Sequence, residues 1–525
     1  MYRRSFLAAA GLLAAPPIVR ADETRLLRFV PYADVAIIDP IWSTNYATRT
    51  HAHLVFETLY GVDEDLVPRP QMVAGHVVEA DGTLWRLTLR EGLRFHDGTP
   101  VLARDCVASL QRWAKRDGFG QALMAATDEL SAPDDRTILF RLKRPFPLLP
   151  AALSRPSALV PVIMPERLAS TDAFTQVPEA IGSGPYRFLP QERVPGARLA
   201  YARHAGYVPR PDGVPSMTAG PRIPHFDRIE FHVIPDPATA AAALQAGSVD
   251  WVEQPLIDLL PVLRRSRDIA VEVKDPWGLI GHLRFNHLHP PFDNPAIRRV
   301  LLQAIRQQDC MEAVAGNERS LWRADIGVFP PGTPMASEAG LGHLKAKPDL
   351  PALRRALQQA GYKGERVVML AGTDVPRINA VSEVTAEVMR QLGFNLDYVA
   401  TDWGTANQRF PVRRPPSEGG WNCYCIYSSG FDQMNPAVYT ALRANGLRAG
   451  IGWPDIPRME ALRQAWLDAP DEAAQKAIAQ EIQALAMEQA MFVPLGLFAQ
   501  PVAYRKTLVD MPKGPPLFTG LRKTG

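Results

Sequence analysis

His96 and Asp97 place an imidazole beside a carboxylate, the pairing that serves general acid–base catalysis. They also sit in Phe95-His96-Asp97-Gly98, and Asp-Gly is favoured in turns for backbone reasons. A turn explains the pair without catalysis. The chain has no Gly-x-Ser-x-Gly elbow, no phosphate-binding loop and no His-Glu-x-x-His, so no catalytic residue is assigned and no enzyme activity is expected. His51 with His53, and His282 with His287 and His289, offer imidazoles of the kind that bind nickel, copper or zinc. Neither group has a carboxylate or cysteine at a spacing that completes a site, so surface and hinge histidines are expected, with no metal and no cofactor. Cys106 and Cys310 fall on helical patterns, and Cys423 and Cys425 lie two apart on one face of a strand, where they are poorly placed to pair. Inert buried thiols are expected.

The elements that position these residues read as alternating α and β. Leu26 to Phe29 predicts a first strand, followed by a polar, aromatic loop from Ile38 to Arg49. Trp85, Leu87 and Leu89 alternate with Arg86, Thr88 and Arg90, the period of a half-exposed strand entered from the Asp81-Gly82 turn. Thr99 predicts the cap of a helix beginning at Pro100, with Leu102, Cys106, Leu110 and Trp113 along one side and Asp117-Gly118 as its stop. Further along, Ile229 to Ile234 predicts a strand, Thr239 to Gln245 a helix closed by Gly247, and Val249 to Val252 a strand. Asn294-Pro295 opens a helix with an apolar face at Ile297, Val300, Leu301, Ala304 and Ile305. A helix from Val381 to Leu392, a strand from Leu396 to Val399, helices from Met459 to Trp466 and Glu472 to Met487, and a strand from Phe492 to Phe498 complete the pattern. Proline-rich stretches at 209–224 and 411–416 read as stiff surface excursions, so no sequential domain boundary stands out.

At 525 residues the chain exceeds one compact core, and 46% hydrophobic with 22% charged residues is an ordinary globular composition. Residues 1–21 read as an export signal: Arg3-Arg4-Ser5-Phe6-Leu7 resembles the twin-arginine pattern, the alternative being an ordinary secretory signal whose n-region holds two arginines, Phe6 to Ala15 is a short apolar run, and Val19-Arg20-Ala21 is a small-x-Ala cleavage site before Asp22. No other apolar run approaches the roughly 20 residues that span a bilayer, so a soluble periplasmic protein is expected. Without Arg3, Arg4 and Arg20 the 58 basic residues become 55, equal to the 55 acidic ones, which leaves no basic excess for a nucleic-acid partner.

Several blocks then occur in a set order: Phe56-Glu57-Thr58-Leu59, Leu89-Arg90-Glu91-Gly92-Leu93-Arg94-Phe95-His96-Asp97-Gly98-Thr99-Pro100, Ala103-Arg104-Asp105, Ile181-Gly182-Ser183-Gly184-Pro185-Tyr186, Ala243 to Asp250, Phe285-Asn286, Pro291-Phe292-Asp293-Asn294 and Ala360-Gly361-Tyr362. Over almost the whole mature chain this order resembles family 5 of the extracytoplasmic solute-binding proteins, which includes dipeptide-, oligopeptide-, glutathione- and nickel-binding proteins. The resemblance implies an α/β, two-lobed periplasmic binding protein fold of type II, in the large peptide-binding class, with discontinuous lobes and a central ligand cleft. One lobe, with an extra subdomain, would hold residues 22–277 and 495–525, and the other 278–494, with crossings near Lys274 to Gly281 and Pro494 to Ala499. It also implies a monomeric receptor that closes over a peptide or similar amino-bearing solute and serves the permease and ATPase subunits of an inner-membrane ABC importer. The alternatives are a non-peptide solute such as an opine, a sugar or a chelated metal, or a hydrolase or chaperone on the same scaffold.

Within this resemblance, Ser428 to Pro436 matches the stretch in which an Asp three residues before an acidic or Asn-Pro pair takes a peptide's amino terminus, and Asp432 stands at that distance from Asn435-Pro436. The plainer account is that Asp432 turns its own loop. Trp421 and Trp403 precede that loop and are candidate cleft walls, or core residues. Asn45 and Tyr46 are candidates from the opposite lobe, and Arg413 and Arg414, beside prolines, are candidates for a ligand carboxylate or solvated charges.

Overall fold

A computed structural model describes residues 23–524, so the export segment at 1–21 and the expected mature start at Asp22 lie outside the described residues. Two large sheets organise the chain. The first has seven strands in the order Tyr186–Phe188, Arg198–Arg203, Arg228–His232, Leu26–Val30, Trp251–Val252, Pro501–Arg505, Ile269–Val273. Leu26–Val30 runs parallel to both Arg228–His232 and Trp251–Val252. Its interior is aromatic: the ring of Phe29 lies 4.8 Å from Phe231, 4.7 Å from Trp251 and 5.2 Å from Phe518. The second has six strands in the order Trp322–Arg323, Phe492–Phe498, Leu279–Phe285, Cys423–Ser429, Arg366–Gly372, Asn395–Thr401. Each sheet is the centre of a lobe, and the chain passes between them after Val273 and again after Phe498, a strand residue buried in the second sheet.

A smaller antiparallel sheet of Val73–Glu79, Leu84–Leu89, Thr137–Leu142 and Thr127–Ser131 stands beside the first. In Leu84–Leu89 the alternation is as expected, with Trp85, Leu87 and Leu89 buried and Arg86 and Thr88 exposed. The helix after it begins later than the sequence suggested, at Ala103. Asp97 accepts from the Thr99 amide and hydroxyl and closes a turn, Pro100 bridges back to Arg94, and Asp105 Oδ2 accepts from the Leu102 N–H at 2.8 Å to cap the true start. Asp117-Gly118 does not end the helical region. Asp117 Oδ1 accepts from the Phe119 and Gly120 amides and caps a second helix, Gly118–Ala126.

The blocks that carry the resemblance meet in space. Glu57 lies 3.6 Å from the Arg90 guanidinium and accepts from the Ser183 hydroxyl at 3.0 Å, all three buried. Gly184 donates its N–H to the Val55 carbonyl at 2.9 Å, and a Cβ there would sit 2.6 Å from the Val55 carbonyl carbon. His96 closes the same knot, with its N–H on Gly182 O and its ring on Gly184 O at 3.0 Å. Burial pushes its pKa down to about 4, so the ring is a neutral packing element. In the other lobe the fully buried Asn286 and Asn422 join strands: Asn286 Nδ2 donates to Trp421 O at 2.9 Å, and Asn422 Oδ1 accepts from the Val368 N–H at 2.8 Å.

All four cysteines are free and buried, and burial pushes the Cys425 thiol up to about 12. Among the described residues no helix is long and apolar enough to cross a membrane.

Candidate functional site

The cleft begins where the first long loop turns into the helix Tyr46–Val55. Asn45 caps it, its Oδ1 accepting from the Ala47 N–H at 2.8 Å and from the Tyr32 hydroxyl at 2.7 Å, which commits that oxygen to local structure. Tyr46, the first helical residue, reaches the other lobe. Its hydroxyl donates to Asp432 Oδ2 at 2.9 Å and accepts from the Ser429 N–H at 2.6 Å. Burial, and then Asp432, hold the phenol well above its ordinary range, so it remains a donor.

Asp432 lies in a short 3-10 turn, Gly430–Gln433, at the end of strand Cys423–Ser429. Its carboxylate does not cap the chain that follows; Asn435 does that, accepting from the Ala437 and Val438 amides. Instead it faces the first lobe. Ser157 donates its hydroxyl to Oδ2 at 3.0 Å and Arg155 donates to Oδ1 at 3.2 Å. Asp432 is 16% exposed, and Arg155, itself buried, also pairs with the buried Asp117 of its own lobe. One guanidinium therefore serves a carboxylate in each lobe.

Toward the crossings the cleft continues as a pocket of about 60 Å³ lined by Tyr46, Arg49, Glu253, Asp275, Gly278 and Ser429, among others. Glu253 follows strand Trp251–Val252, and its Oε2 accepts from the Tyr32 N–H at 2.9 Å. Burial pushes its pKa up to about 7. Asp275 lies in the first passage between lobes and accepts from the Trp277 and Gly278 amides at 3.0 and 3.2 Å; burial pushes it up to about 6, against Arg49 and those amides. Arg49, one turn beyond Tyr46, lies over the Tyr46 ring with its Cζ 4.6 Å from the centroid. Arg377 of the second lobe donates to Gln254 Oε1 at 2.8 Å, another contact between lobes.

Of the residues singled out in the sequence, the structure brings Asp432 and Tyr46 together and sets Asn45 beside them as a cap. The tryptophans are elsewhere. Trp421 is fully buried among Phe410, Tyr424 and Trp453, and its indole N–H donates to Phe410 O at 3.2 Å. It is a core residue of the second lobe, packed two residues before strand Cys423–Ser429 in a buried cluster with Val368, Leu370 and Ala406. Trp403 starts the helix Trp403–Arg409 and packs on Phe410 at the margin of that cluster. Arg413 stacks over Trp453 and donates to Leu447 O, away from Asp432.

The histidines do not converge. His51 and His53 are buried on their helix, bonded to the Tyr201 hydroxyl and Pro156 O, rather than lying at the surface. His282 meets Tyr439, His287 meets Met491 O and His289 meets Arg413 O. Among the described residues no group of three potential ligands could hold a metal ion.

Arg155, Ser157, Arg49, Glu253, Asp275 and Arg377 escaped sequence reasoning. Arg49 had a signal, the i, i+3 spacing from Tyr46. Glu253 had another, following within three residues of Asp250 in a block of the resemblance. Arg155-Pro156-Ser157 carries none, since its partner is 277 residues away.

A profile of the bacterial extracellular solute-binding proteins, family 5 Middle, matches residues 67–419. A Sinorhizobium fredii protein described as a probable peptide ABC transporter periplasmic-binding protein is 34% identical over 523 residues, covering 98% of this chain and 96% of its own. The chain belongs to the family 5 solute-binding proteins. Solved structures extend the likeness in fold. The Agrobacterium tumefaciens R10 binding protein in complex with agropinic acid superposes with a TM-score of 0.79 at 18% identity, covering 95% of this chain and 99% of that one. The dipeptide-binding protein of Pseudoalteromonas sp. SM9913 in complex with Met-Leu superposes with a TM-score of 0.78 at 19% identity, covering 95% and 100%. The fold is that of a type II, two-lobed periplasmic binding protein, and Asp432 with Tyr46, Ser157 and Arg155 lies between its lobes.

Proposed function

We propose that this family 5 protein is the periplasmic receptor of an ATP-driven importer, that it takes up peptides or similar small solutes bearing an amino group, and that it is not an enzyme. The observation that carries this reading is the seat of Asp432, a carboxylate of one lobe surrounded by donors of the other. An ammonium group has the same charge and donor character as the Arg155 nitrogen that lies there. When the lobes part, Arg155 keeps Asp117 as partner, so its guanidinium is not stranded and Asp432 is free to receive a ligand. Closure then encloses the solute. The pocket as it stands, about 60 Å³, lies far below the roughly 300 Å³ or more of small-molecule sites, so entry requires the lobes to separate.

The peptide description of the Sinorhizobium relative and the Met-Leu ligand of the Pseudoalteromonas structure support the same ligand class. In this reading residues 22–277 with 499–525 and residues 278–498 are the two lobes, a second boundary slightly later than the sequence suggested because strand Phe492–Phe498 belongs to the second sheet. The receptor works as a monomer with permease and ATPase subunits, and the Arg3-Arg4 segment directs export. The test is a pool of free di- and tripeptides mixed with their N-acetylated counterparts, incubated with the purified protein, desalted and read by native mass spectrometry. Free peptides should be retained and acetylated ones lost. Equal retention of both, or of neither, would refute the amino-group reading.

A further inference from the structure

The pocket beside the crossings holds charges of both signs that the protein itself leaves without ion-pair partners. Arg49 is 7% exposed, no carboxylate lies within ion-pair distance of it among the described residues, and its Nε has no hydrogen-bond partner. Its polar contact is a long one, from Nη1 to the Ser157 hydroxyl at 3.5 Å. Glu253 is 5% exposed and takes only the Tyr32 N–H. Asp275 takes only backbone amides. Arg49 acts on Glu253 and Asp275 only at a distance, and buried charges without a direct partner are costly unless something else pairs with them.

Glu253 directly follows the parallel strand Trp251–Val252, and Asp275 follows strand Ile269–Val273, so both carboxylates stand at carboxyl ends of strands, where ligands of open α/β sheets bind. The 60 Å³ leaves room for the centres of roughly four to six water-sized atoms, about what a nitrogen, an α-carbon and a carboxylate fill.

We propose that this pocket is a subsite for an α-amino-carboxylate head group, with Arg49 taking the carboxylate and Glu253 the ammonium. It rests on the reading of the chain as a solute receptor and narrows its ligand: one amino group at Asp432, and an amino acid head group at the far end. Tyr46 joins the two places, with its ring under Arg49 and its hydroxyl on Asp432. The planar guanidinium suits a carboxylate through paired N–H donors. An ordinary dipeptide carries its ammonium and carboxylate on different residues and cannot present both here, whereas a peptide bonded through a lysine side chain can.

The probes are therefore two isomers of equal composition and charge, Nε-(L-alanyl)-L-lysine and Nα-(L-alanyl)-L-lysine, titrated by calorimetry. Both offer an alanyl ammonium to Asp432, but only the first keeps a free α-amino-carboxylate. The Nε isomer should bind about tenfold or more tighter, the worth of a charge-assisted bond. Glu253→Gln and Arg49→Gln should each erase that preference, whereas Asp432→Asn should weaken both isomers alike. Glu253→Gln is nearly isosteric and keeps the result readable if Arg49→Gln fails to fold. Equal binding of the isomers, a preference for the Nα isomer, or an unchanged ratio in Glu253→Gln overturns the subsite and leaves the receptor reading standing. Failure of both isomers to bind sinks both.

Discussion

Asp432→Asn perturbs the place where one lobe holds the other. The carboxylate takes hydrogen bonds from Tyr46, Ser157 and Arg155 at 2.9, 3.0 and 3.2 Å, and all three donors belong to the opposite lobe. Hydrogen bonds to a charged group contribute about 1.5–3 kcal/mol each to stability, net of the water contacts they replace. Asparagine keeps one oxygen to accept, but its amide nitrogen meets donors where an oxygen stood. A net loss of about 2 kcal/mol from the closed state is expected, which lowers the closed-to-open ratio about thirtyfold. Folding stability should scarcely change. Arg155 retains Asp117 and is not stranded, so the loss of about 3–5 kcal/mol that follows breaking an isolated buried pair does not apply. Small-angle scattering without added solute, together with the distance distribution between spin labels on the two lobes, reads the closed fraction; urea unfolding reads the stability. An open population that grows in the variant at an unchanged urea midpoint is the expected pair of results. If the radius of gyration and the label distances match the parent, Asp432 does not hold the lobes and the argument fails.

Other outcomes follow from the same contacts. Because burial raises Glu253 to about 7 from an ordinary 4.5, folding takes up a proton between those values and stability falls as pH rises through that window. Glu253→Gln should thus match the parent near pH 4 and exceed it by up to about 3 kcal/mol at pH 8 in urea unfolding, and a difference independent of pH would count against that burial. Gly184→Ala drives a Cβ to 2.6 Å from the Val55 carbonyl carbon, a backbone atom that cannot swing aside, so a loss of about 3 kcal/mol or failure to fold is expected on thermal melting; a parent-like melt would contradict this packing. Trp421→Ala should cost about 3–5 kcal/mol of stability while the folded remainder binds peptides with parent affinity, whereas lost affinity at parent stability would return Trp421 to the cleft. Arg3→Lys with Arg4→Lys should abolish appearance in the periplasm, where the exported parent should begin at Asp22; undiminished export would point to an ordinary secretory signal.

What the sequence made legible and what it did not divides by range. Local signals located the elements well: strand Phe492–Phe498 has the expected bounds, Asn294 caps the helix at Pro295, and Gly247 closes its helix in the left-handed conformation at φ 75°. They misled where one motif has two uses. Asp117-Gly118 reads as a stop, yet an Asp whose carboxylate meets the amides two and three residues on starts a helix equally well. Trp421 illustrates a different ambiguity, since a large aromatic residue before a central strand suits a cleft wall and a core alike, and only the rings of Phe410, Tyr424 and Trp453 decide.

The charged site was the least accessible part, for a physical reason. Tyr46 meets Asp432 across 386 positions, and Arg155 meets it across 277. Such pairs exist because a helix start and a loop of one lobe meet a turn of the other, and nothing in the composition around Arg155 distinguishes it from the many arginines whose partners lie at the surface. Its location in a loop nevertheless suits the proposed opening and closing. A residue that must hold Asp117 permanently and Asp432 only on closure cannot be locked into either sheet. A loop beside the cleft lets one guanidinium remain compensated while the other lobe comes and goes, so the cost of exposing Asp432 on opening is not compounded by a stranded cation. The unpartnered Arg49 lacks such a reserve partner. In the proposed subsite closure gains most when the solute itself brings a carboxylate to Arg49, which would tie the resting pairing of the lobes to the chemistry of what they enclose.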